Sequence, residues 1–233
     1  MNIIDNFYGW LRAKACQQLH IPHMDIWLTL DFFGEDGKLT KHRRQRAKSW
    51  TRNAYNYFHI TLSGHNIIDS THGAGYLSFK DTGGVLNNED SPTFDASSMK
   101  TVAYGYRAEG EITTHGIVVG RGAAAESFED YVMSTTIIAG NGANQLFTPK
   151  GEEYTVSYNA GTKKWTSKQV RYFNNNSGAS ISLTNVGLIG RFDRYPYSDI
   201  FVLMSRDVLS PSETIVDKAQ LKVEYEMSLT FPA

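Results

Sequence analysis

Residues 219–231 read Ala-Gln-Leu-Lys-Val-Glu-Tyr-Glu-Met-Ser-Leu-Thr-Phe, and no other part of the chain alternates apolar and polar side chains so regularly. Successive side chains of a strand point to opposite faces of a sheet, whereas those of a helix share a face every three to four residues. The alternation therefore predicts a long strand with one buried face. A strand of this half-polar kind is typical of an antiparallel sheet.

Short apolar runs separated by Gly, Asn, Ser and Asp extend from about residue 65 to this final strand. They predict further strands at 75–79, 101–106, 112–119, 131–138, 153–158, 164–173, 180–189 and 199–206. We expect residues 174–178 to turn between two paired strands and residues 86–98 to form a long loop. Short strands at regular spacing predict a mainly β fold, an antiparallel β-sandwich of jelly-roll-like or immunoglobulin-like type.

The front of the chain has a different pattern. Residues 26–33 alternate like a strand and run into Gly-Glu-Asp-Gly at 34–37, which predicts an N-terminal strand and a tight turn. Residues 42–62 carry an apolar stripe at helical spacing and predict one amphipathic helix with a basic first half. The predicted organisation is therefore a docking arm, strand and helix over 1–64, followed by the sandwich over 65–233.

Two groups of residues in this front part are candidates for contact with a partner. The first group is aromatic and lies in a segment with few charges; the second is the basic run and the tryptophan that follows it. They are Phe7, Tyr8 and Trp10, and Arg43, Arg44, Arg46, Lys48 and Trp50. Large aromatic side chains supply much of the energy at protein interfaces. Cations in the first turn of a helix oppose its dipole unless an anionic surface lies opposite. The basic run is compatible with a solvated face, with acidic protein or with nucleic acid.

Composition excludes several classes of protein. The chain has 233 residues, a formal net charge of −1 and one cysteine, so an intramolecular disulfide is impossible and bulk attraction to nucleic acid is not expected. It has no apolar run of about 20 residues, as a membrane span requires, and its first residues lack the layout of a signal peptide. We therefore expect a soluble protein without membrane contact.

The sequence contains little that predicts chemistry. The glycine-rich residues 116–122 lack the Lys-Ser/Thr of a phosphate-binding loop, and Pro22 between His20 and His23 argues against helical metal-ligand spacing. Carboxylates are numerous between residues 81 and 130, but their spacing selects no catalytic pair. We predict no catalytic residue, no cofactor and no metal.

Residues 116–133, Gly-Ile-Val-Val-Gly-Arg-Gly-Ala-Ala-Ala-Glu-Ser-Phe-Glu-Asp-Tyr-Val-Met, resemble a segment of structural proteins of tailed bacteriophages. Further stretches are similar to the same group in the same order: 171–187, 204–209 and 219–232, with 49–53 similar to its N-terminal part. The chain departs from the group at Arg121, where a small polar residue is expected. The resemblance implies a non-enzymatic virion protein, present in many copies, whose partners are other copies of itself and other virion proteins.

The position within the particle stays open between head, neck, tail and fibre. The closest alternative keeps the sandwich but makes it a fibre or receptor-binding module that recognises host surface glycan, and a cluster of Tyr and Trp at one end of the sandwich would favour it. A third class is a glycan hydrolase, which requires two carboxylates about 5 to 9 Å apart in a cleft.

Overall fold

The structure is a computed structural model that describes residues 3–63, 78–87, 105–192 and 199–232, and the side chains of these except at 3–6 and 61–63. Most of the predicted strands at 75–79 and 101–106, and most of the predicted loop at 86–98, lie outside the described residues. In the part of the chain that is described, neither helix has the length and apolar character needed to cross a membrane.

The chain is mainly β, with two helices among its described residues. The elements in chain order are α1 (Ile3–Gln18), β1 (His23–Phe33), β2 (Leu39–Arg46), α2 (Arg52–Ser63), β3 (Phe79–Lys80), β4 (Leu86–Asn87), β5 (Gly116–Gly120), β6 (Thr155–Asn159), β7 (Lys164–Asn174), β8 (Ile181–Phe192), β9 (Ile200–Ile215) and β10 (Gln220–Thr230).

Two antiparallel sheets form the body of the protein. Sheet A has the strand order β2-β1-β10-β7-β6, and sheet B has the order β5-β8-β9. One apolar core contains side chains from both sheets, for example Leu28 and Val223 of sheet A with Val119 and Leu188 of sheet B. The predicted antiparallel β-sandwich is therefore confirmed, and β3 and β4 form a small separate hairpin beside it.

The strand predicted from residues 219–231 is confirmed as β10, and it lies at the centre of sheet A. It pairs with β1 on one side and with β7 on the other, both antiparallel. Leu221, Val223 and Tyr225 have no accessible surface, whereas Lys222 and Glu224 between them are partly exposed. Full burial of one apolar side chain stabilises the folded state by about 1.5–3 kcal/mol. The buried residues of β10 therefore contribute substantially to the core between the sheets.

Strands β1 and β2 also belong to sheet A, so the sandwich includes residues from both predicted domains. The predicted N-terminal strand is confirmed, because Leu28 and Leu30 of β1 are fully buried opposite Tyr225 and Val223. The tight turn after it is confirmed as well, with the Gly37 amide donating to the Gly34 carbonyl at 2.9 Å.

The predicted helix at 42–62 is wrong in its first half. Arg43, Arg44 and Arg46 lie on β2, an edge strand paired with β1. Lys48 follows this strand, and the helix α2 begins only at Arg52. The inner-face positions of β2 carry Lys41 and Arg43 in place of apolar residues. Arg43 Nη1 lies 2.9 Å from Oε1 of Glu213 on β9, and Lys41 contacts the same carboxylate. Ion pairs thus connect β2 and β9 at this edge of the sandwich. Because charged residues take the inner positions of β2, its sequence lacks the apolar and polar alternation that would have predicted a strand.

Sheet B is covered on both faces. The side of β9 that faces away from sheet A packs its Val202 and Met204 against Ala54 and Ile60 of α2. The predicted strand at 131–138 is wrong: this segment makes an isolated bridge at Thr136 and is an irregular cover in which Met133 packs on Val118. Met133 and Ile137 of this segment are buried, whereas Val132 and Ile138 are exposed. A strand pattern does not distinguish such an irregular covering segment from a strand.

The turn at 174–178 exists but does not join paired strands. It leads from β7 in sheet A to β8 in sheet B, so the predicted pairing of these two strands is wrong. Asn175 holds the crossing, because its Nδ2 donates to the carbonyls of Ala179 and Ile215, each at 2.8 Å. Gly178 has a φ of +79°, which suits the conformational freedom of glycine.

Arg206 and Asp207 are neighbours on β9, and they do not pair with each other, since adjacent strand residues point to opposite faces. Arg206 Nε contacts Oδ2 of Asp130 at 2.8 Å. The buried carboxylate of Asp207 accepts from Tyr225 OH at 3.1 Å, Ser205 Oγ at 3.0 Å and the Lys48 amide at 3.1 Å. Burial raises the pKa of Asp207 to about 6 despite these donors.

This raised pKa predicts a pH dependence of stability. The folded state binds a proton at Asp207 more tightly than the unfolded state, whose pKa is near the ordinary 3.8. The contribution of Asp207 to the free energy of unfolding is therefore favourable below that value and is lost as the pH rises to about 6. In the wild type, the free energy of unfolding should fall by up to about 3 kcal/mol between pH 3.8 and pH 6 because of this residue. We expect Asp207→Asn to lack this fall when the free energy of unfolding is measured by urea titration at several pH values. An unchanged slope in the variant would contradict the assignment.

Candidate docking surface

Helix α1 presents an aromatic surface to solvent. The side chains of Phe7, Tyr8 and Trp10 are 55%, 65% and 55% exposed. The ring of Phe7 stacks on Trp10 with centroids 6.4 Å apart and meets Tyr8 edge-on at 5.9 Å. Leu11 is also exposed beside them. We call these four residues the aromatic patch, and contiguous exposed apolar surface of this kind marks interaction sites.

The opposite side of α1 is fixed to the outer face of sheet A. Gly9 is buried, and a Cβ atom there would overlap the guanidinium of Arg46 on β2. Arg12 Nη2 lies 3.2 Å from Oδ1 of Asp25, and Arg46 contacts the same carboxylate. The N-terminal segment therefore folds back on the first strand, and its aromatic side chains project away from the sandwich.

Two of the predicted basic interface residues lie on the outer face of sheet A. Arg44 and Arg46 stack on the Trp27 ring, with guanidinium carbons 4.8 and 4.6 Å from the ring centroid. Arg44 also pairs with Glu226 at 3.2 Å. Lys168 continues the row, 3.0 Å from both Glu224 and Glu226, and these hydrogen bonds raise its pKa. The charges on this face are thus matched by acids of the same chain.

The remaining predicted residues fall in three environments. Arg43 pairs with the buried Glu213 as described above, and Lys48 is exposed. Trp50 is half-buried between the sandwich core and the α2 cluster, and its Nε1 donates to the Ala47 carbonyl at 3.3 Å. The structure thus brings Phe7, Tyr8 and Trp10 together on α1, apart from the basic residues of β2.

A groove runs from the aromatic patch along α1 toward the turn between β6 and β7. Trp10, Lys14, Lys163 and Phe231 are among the residues that line it. His23 also lines the groove, and burial lowers the pKa of its imidazole. In the described part of the chain, His, Cys, Asp and Glu form no group of three suited to a metal ion.

The sequence did not single out a second exposed aromatic pair. Tyr158 of β6 and Trp165 of β7 face each other across the edge of sheet A with ring centroids 4.9 Å apart. They are 47% and 43% exposed. Both lie in predicted strands, and their exposure depends on where sheet B ends, which strand patterns do not reveal.

Comparison with protein-family models, with curated proteins and with solved structures finds no match to this chain. The fold and the surface together define an antiparallel β-sandwich whose N-terminal helix carries a solvent-exposed aromatic patch.

Proposed function

We propose that the protein is a non-enzymatic structural component of a tailed-phage virion, assembled in several copies through its N-terminal helix. The observation that carries the proposal is the aromatic patch on α1, which is exposed although the helix behind it is fixed to the sandwich. A fixed helix presents its anchors with little entropy left to lose on binding. The occupants of this surface are neighbouring subunits of the particle.

The segments that resemble phage structural proteins support an architectural role. In residues 116–133 and 204–209, the polar groups hold the sandwich together: Arg206 binds Asp130 and donates to the Ala124 carbonyl at 3.1 Å. Asn185 Nδ2, from the segment 171–187, donates to the Gly122 carbonyl at 2.9 Å. These residues stabilise a scaffold and its loop, which is the work of a structural subunit.

Several carboxylates considered for a hydrolase are also occupied within the chain. Glu129 binds Arg52 through both oxygens, and Glu126 accepts from the Val208 amide at 2.8 Å. Asp81 caps its own turn by accepting from the Gly83 and Val85 amides, each at 2.9 Å. These contacts favour the structural class over the enzyme class.

Removal of the aromatic patch tests the proposal. We expect the double variant Phe7→Ser/Trp10→Ser to fold normally, since both side chains are exposed, and to enter particles at least tenfold less than the wild type. The gene for this chain is deleted from the phage genome, and the wild type or the variant is supplied from a plasmid. The amount of the chain in the purified particles is then measured by quantitative blot. Charge reversal at Arg43 is a poor substitute, because it would break the pair with Glu213.

A matched control is the substitution of apolar residues that are equally exposed elsewhere. Val85→Ser, in the turn between β3 and β4, removes a side chain that is 59% exposed and should leave incorporation unchanged. Equal incorporation of the aromatic-patch variant, or absence of the wild-type chain from purified particles, would contradict the proposal.

The glycan-binding alternative is favoured by one observation, the exposed Tyr158 and Trp165 pair at one end of the sandwich, with Asn159 and Lys164 beside it. Paired aromatic rings of this kind suit the apolar face of a sugar. Binding on a glycan array that is lost in Trp165→Ala would support this function, and silence of the wild-type chain on the array would count against it.

A further inference from the structure

Strand β6 forms an open edge of sheet A. Its residues pair with β7 from Thr155 opposite Lys168 to Asn159 opposite Lys164. On the other side of β6, no strand from the described ranges is present. All five residues of β6 are exposed, with Val156 at 63%. Among the residues that the structure describes, the backbone groups of this edge therefore face no other strand.

The two edges of sheet A differ in charge. The β2 edge carries Lys41, Arg43, Arg44 and Arg46, which is how natural sheets discourage edge-to-edge pairing. The β6 edge, Thr-Val-Ser-Tyr-Asn, has neither charge nor proline, and Thr, Val and Tyr favour strands. The protein thus protects one edge against pairing and leaves the other suited to it.

The sequence of β6 is complementary to itself in the antiparallel direction. Pairing centred on Ser157 places Val156 opposite Tyr158 of a second copy, and the two-fold axis repeats this pair. Thr155 then lies opposite Asn159 on the other face. Aromatic and β-branched residues that face each other across strands stabilise a sheet by about 0.2–1 kcal/mol per pair.

The residues that flank β6 add charge complementarity. Exposed Glu152 and Glu153 precede the strand, and exposed Lys163 follows it in the turn to β7. In antiparallel pairing, the acidic end of one strand lies beside the basic turn of the other copy, at both ends of the interface. A parallel arrangement would instead place like charges together.

We propose that two copies of this chain pair antiparallel through β6, joining their five-stranded sheets into one continuous sheet across a two-fold axis. The pairing also extends the row of side chains formed by Trp165 and Tyr158 of one copy with Val156 of the other. The residues of β6 are not part of the aromatic patch, although Lys163 beside β6 and Trp10 of the patch line the same groove. The inference therefore goes beyond the proposed function and does not rest on it. With this second surface, a subunit could bind another copy of itself through β6 and a neighbouring subunit through the aromatic patch.

A pairing of five residues is small for a stable interface, so we expect a dissociation constant in the micromolar range. Sedimentation equilibrium of the full chain from about 1 to 500 μM measures it. A lysine on the edge opposes strand addition, so Val156→Lys should weaken the dimer at least tenfold, whereas Val156→Thr should retain it. The matched control is Val85→Lys, the same change at a similarly exposed valine away from the edge, which should dimerise like the wild type.

The position of the axis has its own test. In a Cys16→Ser background, Ser157→Cys should be joined to its copy by a short bifunctional thiol reagent, and Val85→Cys should not. Wild-type chain that stays monomeric throughout, or Val156→Lys that dimerises like the wild type, would overturn the inference. A dimer lost in Phe7→Ser/Trp10→Ser but kept in Val156→Lys would also overturn it, while supporting self-association through α1.

Discussion

We expect Arg206→Met to destabilise the protein by about 3–5 kcal/mol, because it removes one partner from a buried ion pair. Arg206 is only 2% exposed. Its guanidinium contacts Asp130 and donates to the carbonyls of Ala124 and Ala125. Methionine fills the space but leaves these acceptors without a donor. Urea unfolding measures the loss, and limited proteolysis should show faster cleavage within residues 121–131.

The control for Arg206 is an arginine whose ion pair is exposed to solvent. Arg44 is 41% exposed in its side chain and pairs with Glu226, so Arg44→Met should cost about 0–1 kcal/mol. If the two variants unfold at the same urea concentration, Arg206 does not hold the loop as described.

Arg171→Met is the second substitution with a large expected effect, a loss of about 3 kcal/mol or more. Arg171 lies on the inner face of sheet A and is 1% exposed. It donates to the carbonyls of Ile117 at 2.9 Å and His115 at 3.3 Å, which fixes β5 and the segment before it to the opposite sheet. Burial lowers the pKa of Arg171 to about 10.

Lysine at this position separates charge from geometry. Arg171→Lys keeps a positive charge but lacks the fork that reaches several carbonyls, so it should recover little of the lost stability. Lys168→Met, three residues earlier on the outer face, is the surface control and should cost about 1 kcal/mol or less. Full recovery by Arg171→Lys would show that the fork is not needed.

The sequence predicted those elements in which burial follows a simple period. β10 and β1 alternate because each has one face against the core, and both were predicted with nearly correct bounds. β2 was missed because Arg43 and Lys41 occupy its inner positions and meet Glu213, so that ion pairs replace apolar contacts. The segment at 131–138 was misassigned because cover segments and strands bury similar residues.

The candidate surface, too, could be predicted only in part from the sequence. The aromatic residues before Arg12 could be singled out because several large aromatic side chains occur there within a short segment that has few charges. Their arrangement on α1 could not, since the fixation of this helix depends on Gly9 lying against Arg46, far away in sequence. The β6 edge was missed for a related reason: a strand pattern does not show which strand lies last in a sheet.

Cryo-electron microscopy of the assembled phage particle tests the central claim most directly. The proposed function predicts that the sandwich is present in several copies and that Phe7, Tyr8 and Trp10 of α1, exposed in the single chain, are buried against a neighbouring subunit. A particle that lacks the chain, or one in which α1 faces solvent in every copy, would contradict it.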